Sequence, residues 1–175
     1  MTIDTADIFG SDQVGIHLSA IGNMVFHPPE LTPQLKEKID STLALESVEL
    51  TIGGSNLIGA LLCGNSKGMA VADIATESDI DILTSYGDVV VMEGGVNTAG
   101  NLLLANETGV VASPSIPSEG LEIISEVMKV DVVATTIAKV PFCKPISTIN
   151  AFCCINAVLN SFAIKKAIII INKLR

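Results

Sequence analysis

Residues 53–68 read GGSNLIGALLCGNSKG, and residues 94–109 read GGVNTAGNLLLANETG. The two stretches agree at both leading glycines, at Asn56 and Asn97, and at Gly59 and Gly100. They agree again at Leu61-Leu62 and Leu102-Leu103, at Asn65 and Asn106, and at Gly68 and Gly109. Self-similarity at a fixed spacing is the mark of a repeat architecture, and it has to be settled before any local element is assigned. Extended outward, each stretch becomes a unit of roughly 41 to 45 residues that reads as strand, turn, strand, helix, strand.

In the second unit the pieces are ALLCG, NSKG, MAVAD, TESDIDILTSYG and DVVVME; in the third they are NLLLA, NETG, VVASP, PSEGLEIISEVMK and DVVATTIA. A first unit begins near Gly15 with IHLSA, IGN, MVFHP, TPQLKEKIDSTLAL and VELTIGG, so that Pro28, Asp73 and Pro114 come after the second strand of each. Asn-x-x-Gly between short apolar runs signals a hairpin, because Gly and Asn accept the positive φ of such turns. Thr32-Pro33 sets a capping side chain before a proline at the first helical position, and Thr76 with Asp79 reads as a capping box. Leu35, Ile39 and Leu43 share one helical face, as do Leu121, Ile124 and Met128, while Glu37, Asp40, Glu122 and Glu126 occupy the others. These helices are expected outside, with one stripe buried.

No single unit of this kind can bury its own apolar side, so the units must pack on one another. An open stack would need polar end units, and none is visible; a closed ring gives every unit two neighbours. The expected fold class is therefore α/β (α+β), a ring of ββαβ repeats. The glycine loops after each third strand would turn the chain toward the centre. Residues 1–141 form three units (about 14–53, 54–95 and 96–139), and residues 142–175 stand apart.

The 175 residues are 49% hydrophobic but only 3% aromatic, so the core is built from Ile, Val, Leu and Ala. All 19 acidic residues lie before position 140, against five lysines there, a balance of −14. Residues 140–175 hold five bases and no acid. Phosphate binding rests on Lys and Arg, and the single arginine is the last residue; no DNA partner is expected, and a basic protein suits the acidic surface better. Cys63, Cys143, Cys153 and Cys154 form no CxxC or metal pattern with His17 and His27, so no metal site is expected. The glycine loops lack the Lys-Ser/Thr of a phosphate-binding loop and match no dinucleotide fingerprint, so no cofactor is expected. The first residues carry no basic, apolar leader, which fits a cytoplasmic protein with reduced thiols.

TIGGSNLIGALLCGNSKGMAV, GGVNTAGNLLLANETGVVASP and LEIISEVMKVDVVATTIAKVP resemble the translation initiation factor 6 family of archaea and eukaryotes. The resemblance covers roughly residues 10–141, and its markers are Ser55-Asn56-Leu57-Ile58-Gly59, Gly64-Asn65-Ser66, Ala99-Gly100-Asn101 and Thr136 through Pro141. It implies a pentein fold, five units in a ring with fivefold pseudosymmetry. It implies a non-enzymatic, monomeric factor that sits on the large ribosomal subunit, touches ribosomal proteins beside the sarcin-ricin loop, and keeps the small subunit away. By position in the family pattern, Asn101 and the rim around Ala60 would lie near the ribosomal contact.

After Pro141 the pattern stops: FCKPISTINAFCCINAVLNSFAIKKAIIIINKLR has no glycine and no acid. A normal fourth unit cannot be recognised. A diverged fourth unit, a membrane-anchoring stretch at 145–164 and a reading frame lost near Phe142 are the three readings, and the abrupt change of composition points to the third. An unclosed ring would be marginal or aggregate, and AIIII adds a hazard where exposed. The ribosomal role has two alternatives, an inactive truncated paralogue and a pentein-type guanidine-modifying enzyme with a cysteine nucleophile.

Overall fold

The computed structural model describes residues 5–94 and 97–136. The expectations for residues 142–175 fall outside them. Three copies of one three-stranded sheet carry the architecture. In the first, Ser19–Ile21 (β1) pairs antiparallel with Met24–His27 (β2), which pairs parallel with Glu46–Glu49 (β3) across the helix Pro33–Leu43 (α2). The second repeats this with Leu62–Gly64 (β4), Gly68–Ala72 (β5), the helix Glu77–Thr84 (α4) and Asp88–Met92 (β6). The third uses Leu103–Asn106 (β7), Gly109–Ala112 (β8), Ser118–Met128 (α6) and Val132–Ala134 (β9). The fold is mixed α/β and of the pentein type that the resemblance implies.

A short helical turn precedes each first strand where the sequence suggests more strand: Val14–His17 (α1), Ile58–Leu61 (α3) and Ala99–Leu102 (α5). Four residues make a single turn, too short for a 3.6-residue period to show in the sequence. The turns exist because of what they touch. A Cβ on Gly59 would lie 2.0 Å from the carbonyl oxygen of Gly15, and one on Gly100 would lie 1.9 Å from that of Gly59. Backbone therefore meets backbone from α1 to α3 to α5, and only glycine permits it.

The first unit starts earlier than Gly15. Ile8 bridges Ser11 as Ile52 bridges Ser55, each across a two-residue turn with both φ positive: Phe9 at 54° and Gly10 at 81°, Gly53 at 59° and Gly54 at 76°. Ile8 aligns with Ile52, Gly15 with Gly59 and Phe26 with Ala70 in one unbroken register. In that register Pro29, rather than Pro28, takes the place of Asp73 and Pro114.

The first and second sheets each have a helix on both sides, one from their own unit and one from the next. Leu18, Val25 and Ile39 pack with Leu35 and Leu43 of α2 inside the first unit. On the other side Phe26 and Val48 meet Leu83 of α4, and the Tyr86 ring stands edge-on to Phe26 at 5.6 Å. The second sheet repeats the arrangement: Cys63, Ala70 and Val90 cluster with Ile124, Met128 and Leu121 of α6. A helix thus fills the wedge between successive sheets, and its apolar stripe serves both.

The caps agree with the sequence. Thr32 Oγ1 accepts from the Leu35 amide, with Pro33 opening the helix. Thr76 and Asp79 form the full capping box, and Asp79 Oδ2 also accepts from the Gly53 amide at 2.8 Å, tying α4 to the glycine turn. α2 ends on Ala44 in the left-handed region, φ 53°.

Five substitutions check this packing. Gly59→Ala or Gly100→Ala should lower stability in urea by more than about 3 kcal/mol, whereas Gly109→Ala, where the added carbon meets only Asp131 O at 3.4 Å, should change it little. Asp79→Ala should cost about 1–2 kcal/mol in the same assay, since both helix cap and turn lose an acceptor. Ala44→Gly should raise stability by about 0.5–1 kcal/mol, because glycine removes the left-handed penalty at that cap.

Candidate docking face at the loop end of the units

The loops that leave β2, β5 and β8 and the glycine turns that precede α1 and α3 gather at one end of the sheets. The hairpins lie at the other. Equivalent bonds hold the loop end together from unit to unit: Asn56 Nδ2 donates to Glu30 Oε2 at 2.6 Å, and Asn97 Nδ2 donates to Asp73. His17 Nδ1 donates to the Asn56 carbonyl at 3.0 Å, and the Phe9 ring meets His17 edge-on. First and second units are thereby clasped at this end, and so are second and third.

Three large apolar side chains are exposed here: Phe9 at 50%, Leu57 at 44% and Ile74 at 49%. Around them stand Asp7, Asp12, Glu30, Asp73 and Glu77. Among the described lysines, Lys67 and Lys129 lie at the hairpin end, and Lys129 is paired with Asp88 at 2.9 Å. Lys36 is paired with Glu49 at 2.8 Å; the shared hydrogen bond holds the ammonium pKa above and the carboxyl pKa below their usual values. What this end offers is apolar knobs inside an acidic rim, suited to a cationic partner with apolar side chains.

Ile16, Ala60 and Asn101 occupy one equivalent place on α1, α3 and α5. Asn101 is partly exposed. Ala60 is only 4% exposed, so it shapes the turn and presents almost no side-chain surface. The sequence reading missed Phe9, Leu57 and Ile74. Phe9 had a signal: in the register Ile8/Ile52 it stands where the second unit has Gly53, a bulky exposed residue at positive φ in place of glycine. Leu57 and Ile74 had none, since an apolar residue in a strand-rich sequence is read as core.

Cys63 lies buried on the flank covered by α6, and its thiol donates to the Leu103 carbonyl at 3.4 Å. A thiol so placed is shielded from attack and from substrate. His27 is buried with Nδ1 donating to the Pro28 carbonyl at 2.8 Å. Among the described residues no group of three or more His, Cys, Asp or Glu could hold a metal ion. No helix among them is long and apolar enough to cross a membrane.

The eIF-6 family model matches residues 3–157. The chain belongs to the eIF-6 family. Its relatives include the translation initiation factor 6 of Methanocorpusculum labreanum, 30% identical over 136 residues, covering 78% of this chain and 61% of the relative. The protein of that name from Methanospirillum hungatei is 32% identical over 133 residues (76% and 60%), and that from Methanocella arvoryzae is 33% identical over 131 (75% and 59%). The chain spans about three fifths of the length of the curated relatives it matches. Those relatives are named as translation initiation factors, which are not enzymes.

Cys63 should react with an alkylating reagent only as the chain opens. Peptide-resolved labelling should show its modification rate rising with urea in parallel with unfolding; rapid labelling in buffer would show the flank to be open.

Proposed function

We propose that this chain is a translation initiation factor that binds the large ribosomal subunit and keeps the small subunit from joining it, acting in the cytoplasm as a monomer. The observation that carries the reading is the loop end, where Phe9, Leu57 and Ile74 stand exposed within an acidic rim, on a chain whose relatives are named translation initiation factor 6. The partner it fits is a basic ribosomal protein beside the sarcin-ricin loop. Apolar contacts would supply affinity, and the acidic rim would supply steering and orientation.

The mechanism is occlusion. Stacked units clasped by Asn56–Glu30 and Asn97–Asp73 form a stiff block, and its presence on the joining surface excludes the other subunit. No bond is made or broken. Asn101 contributes to the contact directly; Ala60 contributes by the turn it holds.

Co-sedimentation tests it. The purified chain should travel with large subunits and reduce their joining to small ones, with binding weakening as salt rises. Leu57→Ser with Ile74→Ser should reduce binding about tenfold or more. Glu30→Lys with Asp73→Lys should weaken it and flatten the salt dependence. A folded chain that sediments alone at low salt would support the inactive truncated form instead.

A further inference from the structure

Each sheet ends on its parallel strand, and among the described residues no strand pairs with the outer edge of β3, β6 or β9. An unpaired edge presents backbone N–H and C=O groups to any extended chain that comes alongside. On β6 these groups can be assigned. The Asp88 amide donates to the Lys67 carbonyl at 3.1 Å, and a parallel ladder uses alternate residues, so Val90 and Met92 also turn inward to β5. Val89 and Val91 turn their N–H and C=O groups to the free edge. The same alternation on β3, set by the Glu46 amide on the Asn23 carbonyl at 2.9 Å, turns Ser47 and Glu49 outward.

The two edges are finished differently. On β3, Ser47 Oγ donates to Asp40 of α2, Glu49 is ion-paired with Lys36, and Glu46 is exposed; charged side chains along an edge discourage pairing. β6 reads Asp-Val-Val-Val-Met, with half-buried valines at 89, 90 and 91. α4 covers the face that carries Val89 and Val91, and α6 covers the face that carries Val90, which leaves the edge open between two helices. α6 also supplies an apolar wall. A Cβ on Gly68 of β5 would meet the Val127 side chain at 2.7 Å, so this flank of α6 faces the second sheet. Ile123, one turn earlier on the helix, stands at the outer border of that flank and is 47% exposed.

We propose that the free edge of β6 is a strand-addition site for an extended, cationic segment of another protein, with Ile123 packing on the apolar side chains of that segment. The site is separate from the loop end and does not rest on the ribosomal reading. Backbone bonds to Val89 and Val91 supply the affinity, and side chains at alternate positions of the incoming strand supply the selection. Charge names the occupant. Glu119, Glu122 and Glu126 are exposed on α6, Asp81 is exposed on α4, and Glu93 is exposed directly after β6, while Lys129 is already held by Asp88. A second copy of this chain would set these acids against themselves. Lys or Arg on an incoming strand would meet them instead.

A short synthetic peptide of alternating lysine and valine, added to the full-length chain, tests it. Fluorescence anisotropy should show this peptide binding about tenfold or more tightly than a copy N-methylated at alternate backbone amides, or than one with glutamate in place of lysine. Hydrogen exchange followed by NMR should slow at the amides of Val89 and Val91 when the peptide is added. Ile123→Lys should weaken binding about tenfold or more, whereas Ile82→Lys, the same change at the equivalent place on α4, should leave it nearly unchanged. Val91→Pro removes an outward N–H and no ladder bond, and should weaken binding as much as Ile123→Lys does. Equal affinity for the N-methylated peptide would reduce the contact to charge alone and overturn the proposal. Protection of the two amides by self-association, rising with chain concentration, would give the edge to a second copy and overturn it as well. So would a lysine peptide that does not bind. No ribosome enters these measurements, so their failure leaves the loop-end reading standing.

Discussion

The structure depends on a carbonyl oxygen resting on a bare α-carbon. Gly15 presents its oxygen to Gly59, and Gly59 presents its own to Gly100, so α1, α3 and α5 stack backbone to backbone with no side chain between them. This sets the distance and angle between units. A methyl group at either receiving glycine would push neighbouring sheets apart, and the helices wedged between them would lose contact with one sheet or the other. The many small and branched side chains of the core can fill the wedges only because the spacing is fixed at the centre.

From that spacing comes the shared use of each helix. Leu83 closes the core of its own sheet and also covers Phe26 of the one before; Ile124 and Met128 do the same for Ala70 and Val90. A helix with one ordinary apolar stripe therefore buries two surfaces, which suits a chain with very few aromatic anchors. The arrangement also gives the repeat a direction. The first and second sheets are each finished by the unit that comes next in the chain, and Asn65 reaches forward to mark the place.

Stiffness at the centre has a consequence at the loop end. The loops carry exposed apolar groups and acids in close succession, and such a surface keeps its shape only if the units beneath do not slide. The Asn56–Glu30 and Asn97–Asp73 bonds and the Asp79 carboxylate on the Gly53 amide fix the loops to the stacked turns. Position in the repeat and position on the face are therefore one property. Ile16, Ala60 and Asn101 show it plainly, with three different residues in one structural place.

The sequence by itself determined the repeat, the order of strands and helix in each unit, the buried stripes of α2 and α6, and the caps at Thr32 and Thr76. The repeat shows as matching residues about 41 positions apart, and the elements, stripes and caps depend on neighbours within about a dozen residues through periodicity and local hydrogen bonds, so all of them can be read in one dimension. The acidic balance of residues 1–139 is equally a sum over the chain. The tertiary structure alone decided that the strand-like runs before β4 and β7 begin as helical turns, because their reason lies in another unit's carbonyl oxygen, a full repeat away in the chain. It decided as well that Ala60 is covered while Phe9, Leu57 and Ile74 are exposed, since exposure is fixed by which unit stands alongside, a relation that no local pattern encodes.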